Sequence, residues 1–302
     1  MKKGLTASII FKAQSLNYGE GFGNISELKK ISRMDGNQYT IASRQCLRYD
    51  IVRLGSEIFG WDLQVVDKAK GTVQFKDELT IADSQEMDLF GYMKTSKKGD
   101  DTKGGSTTRS AVIKLSNAIS LEPYRSDMDF LTNKGLADRI GEHPNLANIE
   151  QHLSYYTYTF TIDLSRVGID ENIEISNEEK CKRVLEFLEI VKILNRNIRG
   201  RQENLSPLFV IGGLYDIANP YFLGRIKLNT SKEGFEVDMK VLEDVLDTTF
   251  LGNNIKDATY VGMNEGCFKN KDEFVEKLGD KVVSVNKFFD NLMENVKKYY
   301  EV

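Results

Sequence analysis

Four runs in the sequence carry side chains whose types and spacing could hold a polyanion. The first is SRQCLR, Ser43 to Arg48. Ser43 has the chemistry of a helix N-cap, and Arg44 and Arg48, four apart, fall on one helical face. A helix start presents N–H groups and the positive end of the macrodipole, so two arginines and Gln45 around it would form a phosphate clamp. The same residues equally suit a solvated helix start with one cap and surface ion pairs. The second run holds Lys192, Arg196, Arg199 and Arg201, then Gln202 and Asn204, with no acid between Lys192 and Gln202. Cations favour a helix C-terminus, which accounts for two of the four; the other two suggest a polyanion. The third is a loop with Lys94, Lys97, Lys98, Lys103 and Arg109, diluted by Asp100 and Asp101. The fourth is DMDFLTNKG, where Phe130 and Leu131 stand in a polar stretch. Such a pair wedges between bases, or else anchors a loop on the core.

Other chemistries find little to use. The two histidines are His143 and His152, and no serine sits in a G-x-S-x-G elbow. No G-x-x-x-x-G-K-[ST] phosphate loop is present, and Gly19, Gly21 and Gly23 form G-x-G-x-G followed by a polar run, a poor dinucleotide fingerprint. Cys46, Cys181 and Cys267 are widely spaced without C-x-x-C, so neither a disulfide framework nor a zinc site is expected. No cofactor and no catalytic group is expected. The net charge of −4 excludes coating of nucleic acid by bulk charge, so any polyanion must be held by a local patch. Apolar residues make up 40% of the 302-residue chain, enough for a core. No apolar run approaches the roughly 18 residues of a membrane span. Met1, Lys2 and Lys3 lead straight into a strand-like segment rather than a signal peptide. A cytoplasmic setting without membrane contact is expected.

The elements that would position these residues follow from periodicity. Residues 4–16 alternate as a strand, and Asn17–Gln38 reads as a loop. Leu47, Ile51, Leu54 and Ile58 then predict a helix of about 17 residues after Ser43. Residues 61–107 change character: a short strand pair (Gln64–Val66, Thr72–Phe75), a helical stretch Ala82–Tyr92, then a polar loop over 94–109. A strand at Ala111–Leu121 is followed by an irregular stretch, Glu122–Gln151, of about 30 residues, far longer than a hairpin needs. In the next strand, 154–167, Tyr156, Tyr158 and Phe160 share one face, opposite Tyr155, Thr157, Thr159 and Thr161. Val184, Leu185, Leu188, Val191 and Leu194 predict a helix from Asn177 to about Ile198–Gly200. Pro207 opens an apolar strand, LFVIGGLY. A strand at Gly224–Leu228, a turn at Ser231–Gly234, a helix near 238–247 and a final helix over 271–300 complete the chain. The order β-α-β-β-α-β with two insertions predicts an α+β fold of the split βαβ, ferredoxin-like kind.

Several motifs in series resemble a known family. SLNYGEGFGNISELKK (15–30), TIASRQCLRYDIVR (40–53), DLFGYM (88–93), RSAVIKLSNAISLEP (109–123) and NIRGRQENLSPLFVIGGLY (197–215) are similar, in order, to CRISPR-associated backbone subunits of type I-B Cascade. These form the Cst or DevR-like group of the RAMP superfamily. The resemblance implies an RRM-like palm (1–60, 109–121 and 152–302), a finger insertion (61–108) and a thumb (122–151). It further implies several copies along a CRISPR RNA, beside other Cascade subunits, presenting the guide for pairing with target DNA. In family terms Ser43, Gln45 and Arg48 match the S-x-Q-x-x-basic pattern that contacts guide phosphates, and Phe130 and Leu131 are candidates for the thumb tip. Such a ribonucleoprotein role, in antiviral defence, needs phosphate contacts without base readout, because pairing supplies the sequence information. The alternative is an RNA-cleaving relative of the type III kind, for which Asp35, before the first helix, is the candidate acid. An aspartate in M-D-G-N is more simply a turn former.

Overall fold

The computed structural model describes residues 3–68, 71–95, 106–231 and 234–302. Its centre is a mixed α+β frame: strand β1 (Gly4–Gln14), helix α1 (Arg44–Phe59), short strands β2 (Ile113–Leu115) and β3 (Ala118–Ser120), strand β4 (Leu153–Asp163), helix α2 (Asn177–Lys192) and strand β5 (Phe209–Tyr215). β5, β1, β4 and β3 lie side by side in that order, each pair antiparallel, with β2 also on β4. Gln38–Ala42 and Lys30–Ser32 continue the sheet beyond β3. Thr259–Met263 (β6) and Val282–Val283 (β7) extend it beyond β5.

Side-chain alternation decides the two faces. Leu5, Ala7, Ile9 and Phe11 of β1 join Tyr156, Tyr158 and Phe160 of β4 in one core, covered by α1, α2 and a last helix, α3 (Val285–Tyr300). On the opposite face Ile10, Tyr155, Phe209 and Ile211 pack under the chain after Tyr215. Thr6, Ser8, Thr159 and Thr161 of that face are buried as well, while Lys12 is exposed. The Ser8 and Thr159 hydroxyls meet at 2.6 Å, and Thr6 donates to the Asn219 carbonyl at 2.9 Å.

The helix after Ser43 forms as its spacing predicts. Ser43 accepts from the Cys46 N–H, and Gly60 ends the helix at φ 73°, a conformation glycine reaches without Cβ strain. Several other expectations are corrected. The stretch 122–151 is no irregular loop but a hairpin, Met128–Thr132 with Leu146–Glu150. All five residues of its first strand are exposed, so no buried alternation could announce it. The loop Asn17–Gln38 holds the strands Ile25–Ser26 and Lys30–Ser32. α2 stops at Lys192; Asn195–Ile198 and Arg201–Asn204 form a hairpin across Arg199 and Gly200, at φ 48° and 75°. Two successive positive φ values suit the twist of a tight hairpin. The expected strand at Gly224–Leu228 starts instead at Leu228 and runs to Ser231. The long final helix is two, Lys271–Leu278 and α3, separated where Gly279 (φ 60°), β7 and the new cap Ser284 intervene.

Candidate nucleic-acid interface

The start of α1 is more fully used than its sequence suggests. The Arg44 N–H donates to Asn117 Oδ1 at 2.9 Å, and the Cys46 N–H donates to Ser43 Oγ at 3.3 Å. The free-amide part of the phosphate clamp is therefore corrected: Ser43 and Asn117 already fill two of these donors. The side chains remain. Arg44 and Gln45 are exposed, and neither side chain enters an ion pair or hydrogen bond among the described residues. Arg48 is half-buried, paired with Glu86 at 2.7 Å, with its guanidinium 5.3 Å from the Phe90 ring centre. Arg44, Gln45 and Arg48 line a cleft of about 410 Å³ with Lys114, Phe90, Ala111, Ile113 and Leu115. No acid is among them. Lys114 was not singled out from the sequence, because a lone lysine in an apolar strand gives no signal of its own.

The second basic run divides. Arg196 is corrected from a ligand contact to a tether: it donates to the Leu16 carbonyl and to Asp50 Oδ2, both at 2.7 Å. Asp50 is fully buried on α1, with Arg53 Nε 3.6 Å from its other oxygen. Burial raises its pKa, against the pull of Arg196. A second tie, the Gln14 N–H to Glu203 at 2.9 Å, holds the same hairpin to β1. Asn204 is exposed, and its Oδ1 accepts from the Ser206 N–H two residues on. Gln202 is exposed, 3.4 Å from Asn195 Oδ1. Arg199 lies over the Tyr18 ring at 4.2 Å, and Arg201 is half-buried, 3.8 Å from Glu203. Both line a groove of about 450 Å³ whose other wall is the hairpin after β3: Asp127, Met128, Asp129, Leu131 and Ile149.

Asn17 and Tyr18 connect the two basic places. Asn17 Oδ1 accepts from the Ser43 N–H, and the Tyr18 hydroxyl donates to the Glu150 carbonyl at 3.1 Å. One short segment thus touches the start of α1, the arginine hairpin and the base of the Met128–Glu150 hairpin. Lys29, exposed beside it, was also missed; only the tertiary structure brings it near. The hairpin base is fixed by Glu150, which accepts from Lys30 Nζ at 2.6 Å and from the Leu28 N–H at 2.7 Å. Phe130 is 59% and Leu131 42% exposed, so neither is a core anchor.

Arg109 is corrected outright. It is 6% exposed and donates to Asp88 at 2.6 Å and to the Arg166 carbonyl at 2.9 Å. Asp88, fully buried, also accepts from Arg183 at 3.0 Å and from the Gly168 N–H at 2.9 Å. A buried guanidinium with these partners cannot reach a ligand. Lys97 and Lys98 lie outside the described residues. Asp35 accepts from the Asn37 N–H at 2.9 Å and from the Tyr39 hydroxyl at 2.7 Å, with Gly36 at φ 79°, the geometry of a turn former. Burial pushes the Cys46 thiol up to about 11, far from a reactive thiolate. Among the described residues no three His, Cys, Asp or Glu side chains are placed to hold a metal ion, and no helix is long and apolar enough to cross a membrane.

The chain is thus an α+β fold with arginines at two clefts beside an exposed hairpin. Comparison with known proteins gives it a family. The sequence profile described as "CRISPR-associated negative auto-regulator DevR/Csa2" matches residues 5–226, and the chain belongs to this CRISPR-associated family. The fold is similar to a chain of a "CRISPR RNA-guided surveillance complex, pre-nicking": TM-score 0.57 and 13% identity over 97% of this chain and 100% of that one. A chain of a second "CRISPR RNA-guided surveillance complex" gives TM-score 0.53 and 14% identity, over 97% and 99%. At such identities the likeness is one of fold. No curated protein sequence matches significantly.

Proposed function

We propose that this protein is a non-catalytic backbone subunit that binds CRISPR RNA, several copies lining up along the guide of a type I-B Cascade complex. Its central sheet and helices are then an RRM-like palm, residues 61–108 the finger and the Met128–Glu150 hairpin the thumb. The observation that carries the reading is that one segment, Asn17–Tyr18, links two basic clefts, Arg44 and Gln45 in one and Arg199 and Arg201 in the other, next to a hairpin that exposes Phe130 and Leu131. Cations that lack strong internal partners are free to meet phosphates, and bases held only by their backbone stay open for pairing with target DNA. Bases that must unstack beneath a crossing hairpin would meet Phe130. Membership of a CRISPR-associated family supports the same reading.

The test is co-purification followed by assembly. The expressed chain should retain RNA of defined length, and adding single-stranded guide RNA should convert it to particles that grow with guide length. Particles of unchanged size would remove the backbone role. The type III-like alternative predicts Mg²⁺-dependent cleavage of bound RNA, abolished in Asp35→Ala. We expect both strands to stay intact, since the Asp35 carboxylate is occupied within its own turn.

A further inference from the structure

A cavity of about 370 Å³ opens at the end of the sheet away from the Arg199 groove. Lys3, on its lining, precedes β1, whereas Gln14 at the far end of β1 borders that groove. The 11 residues of β1 place roughly 36 Å between them. The apolar lining of the cavity is Val112, Ile217, Phe250 and Leu251. Phe250 and Leu251 come from a hairpin in which Thr249 pairs with Asn254 and Phe250 with Asn253, so Leu251 and Gly252 form its turn. Leu251 has φ 50° and Gly252 φ 83°. A turn with two positive φ values favours Asn-Gly, and a leucine at the first place is strained. This leucine is also 80% exposed, so burial offsets none of that cost in the free chain. Backbone strain of this kind collects at ligand sites. A ligand that covered Leu251 would supply the missing burial.

The charged lining is Lys3, Lys114, Arg166, Asp163 and Asp216. Its two carboxylates are already engaged. Asp216 accepts from Lys3 Nζ and from Asn253 Nδ2, and Asp163 accepts from the Ser165 N–H and hydroxyl. Lys3 is thereby neutralised. Lys114 has no side-chain partner among the described residues, and Arg166 spends only Nη2, on the Ser110 carbonyl and hydroxyl at 3.0 Å. Two cations therefore remain beside an apolar surface, in a cavity large enough for a small molecule. A nucleic-acid strand would need a longer run of cations, without carboxylates among them.

We propose that this cavity binds a small organic anion, its carboxylate or phosphate head on Arg166 and Lys114 and its apolar body against Phe250, Leu251 and Ile217. The site is independent of the guide-binding reading.

The experiment is calorimetric titration of the full chain with octanoate and octyl phosphate, beside octanol, which lacks the charge, and acetate, which lacks the apolar body. At least one of the two octyl anions should saturate one site per chain, with octanol and acetate weaker by about tenfold or more. Lys114 also lines the cleft of Arg44, so the variants are made at the other two residues. Arg166→Ala should weaken the anion by about fivefold or more, towards the affinity of octanol. Leu251→Gly should weaken it by a similar factor while the melting temperature holds or rises, because glycine relieves the positive φ. Leu251→Gly decides if Arg166→Ala fails to fold. Absence of saturable binding by both octyl anions overturns the proposal. So does octanol binding as tightly as the anions, since the cations then contribute nothing. Unchanged anion affinity in the folded variants overturns it as well, because the anion then sits elsewhere.

Discussion

Two sets of arginines look alike in the sequence and do opposite work. Arg109 and Arg183 converge on Asp88 in the interior, each nearly fully buried, and join the segment around Asp88 to α2. Arg44 and Arg199 stand at the surface, one without a side-chain partner among the described residues and the other resting on Tyr18. A buried guanidinium must be paired, because leaving it alone in a low dielectric is costly. An exposed one is well solvated and can trade its water for a phosphate. Cation count therefore says nothing about binding until burial divides the set.

The largest test of this division is Asp88→Ala, which strands two buried guanidiniums. It should cost about 3–5 kcal/mol in urea unfolding. A cost under about 1 kcal/mol would show that these arginines are not held by Asp88 and would blur the contrast. Next comes Arg196→Ala, which leaves Asp50 buried without its closest cation; we expect a destabilisation of about 1–3 kcal/mol at neutral pH. The sign with pH follows from Asp50. Its pKa is raised by burial, so the folded state holds the proton more tightly than the unfolded chain. That contribution is fully present below the unfolded value, about 4, and disappears as pH rises through the folded value. Removing Arg196 raises the folded value further, so the destabilisation should shrink in acid. A destabilisation that grows on acidification would contradict this account.

Phe130→Ala should leave thermal unfolding of the free chain nearly unchanged, since the side chain is largely exposed. Assembly on guide RNA or pairing with target should weaken instead, by about 1–3 kcal/mol for one base no longer stacked on the ring. A marked fall in melting temperature would return Phe130 to the structural set. The smallest effect is that of Arg44→Ala with Arg199→Ala: stability should shift by no more than about 0.5 kcal/mol. The slope of log K against log salt for RNA should flatten by roughly 0.7 for each phosphate no longer neutralised. An unchanged slope would place the two with the merely solvated arginines.

Much of the frame was legible. β1, α1, β4, α2 and β5 follow from local periodicity and capping, because one buried face imposes its period on the residues that line it. The two faces of β4 were readable for the same reason. The hairpin Met128–Glu150 was not, because a strand exposed along its whole length leaves no alternating record. The arginine hairpin was hidden for another reason. Leu194 continues the apolar period of α2 past its end, and only the turn at Arg199 and Gly200 breaks it.

The candidate site divides along the same line. That Ser43, Arg44, Gln45 and Arg48 stand at the start of α1 was legible, because a helix start is a local arrangement, written in consecutive residues. Arg109 and Arg196 were misread because their partners Asp88, Asp50 and Leu16 come from distant segments, and charge composition carries no record of who meets whom. Lys114, Asn17 and Tyr18 acquire a place in the site only when β2 and the segment after β1 are brought against α1. By itself the sequence determined which cations exist, and which short stretches become helix or strand. Burial is a property of the assembled fold, and it alone decided which of those cations are paired inside and which stand exposed.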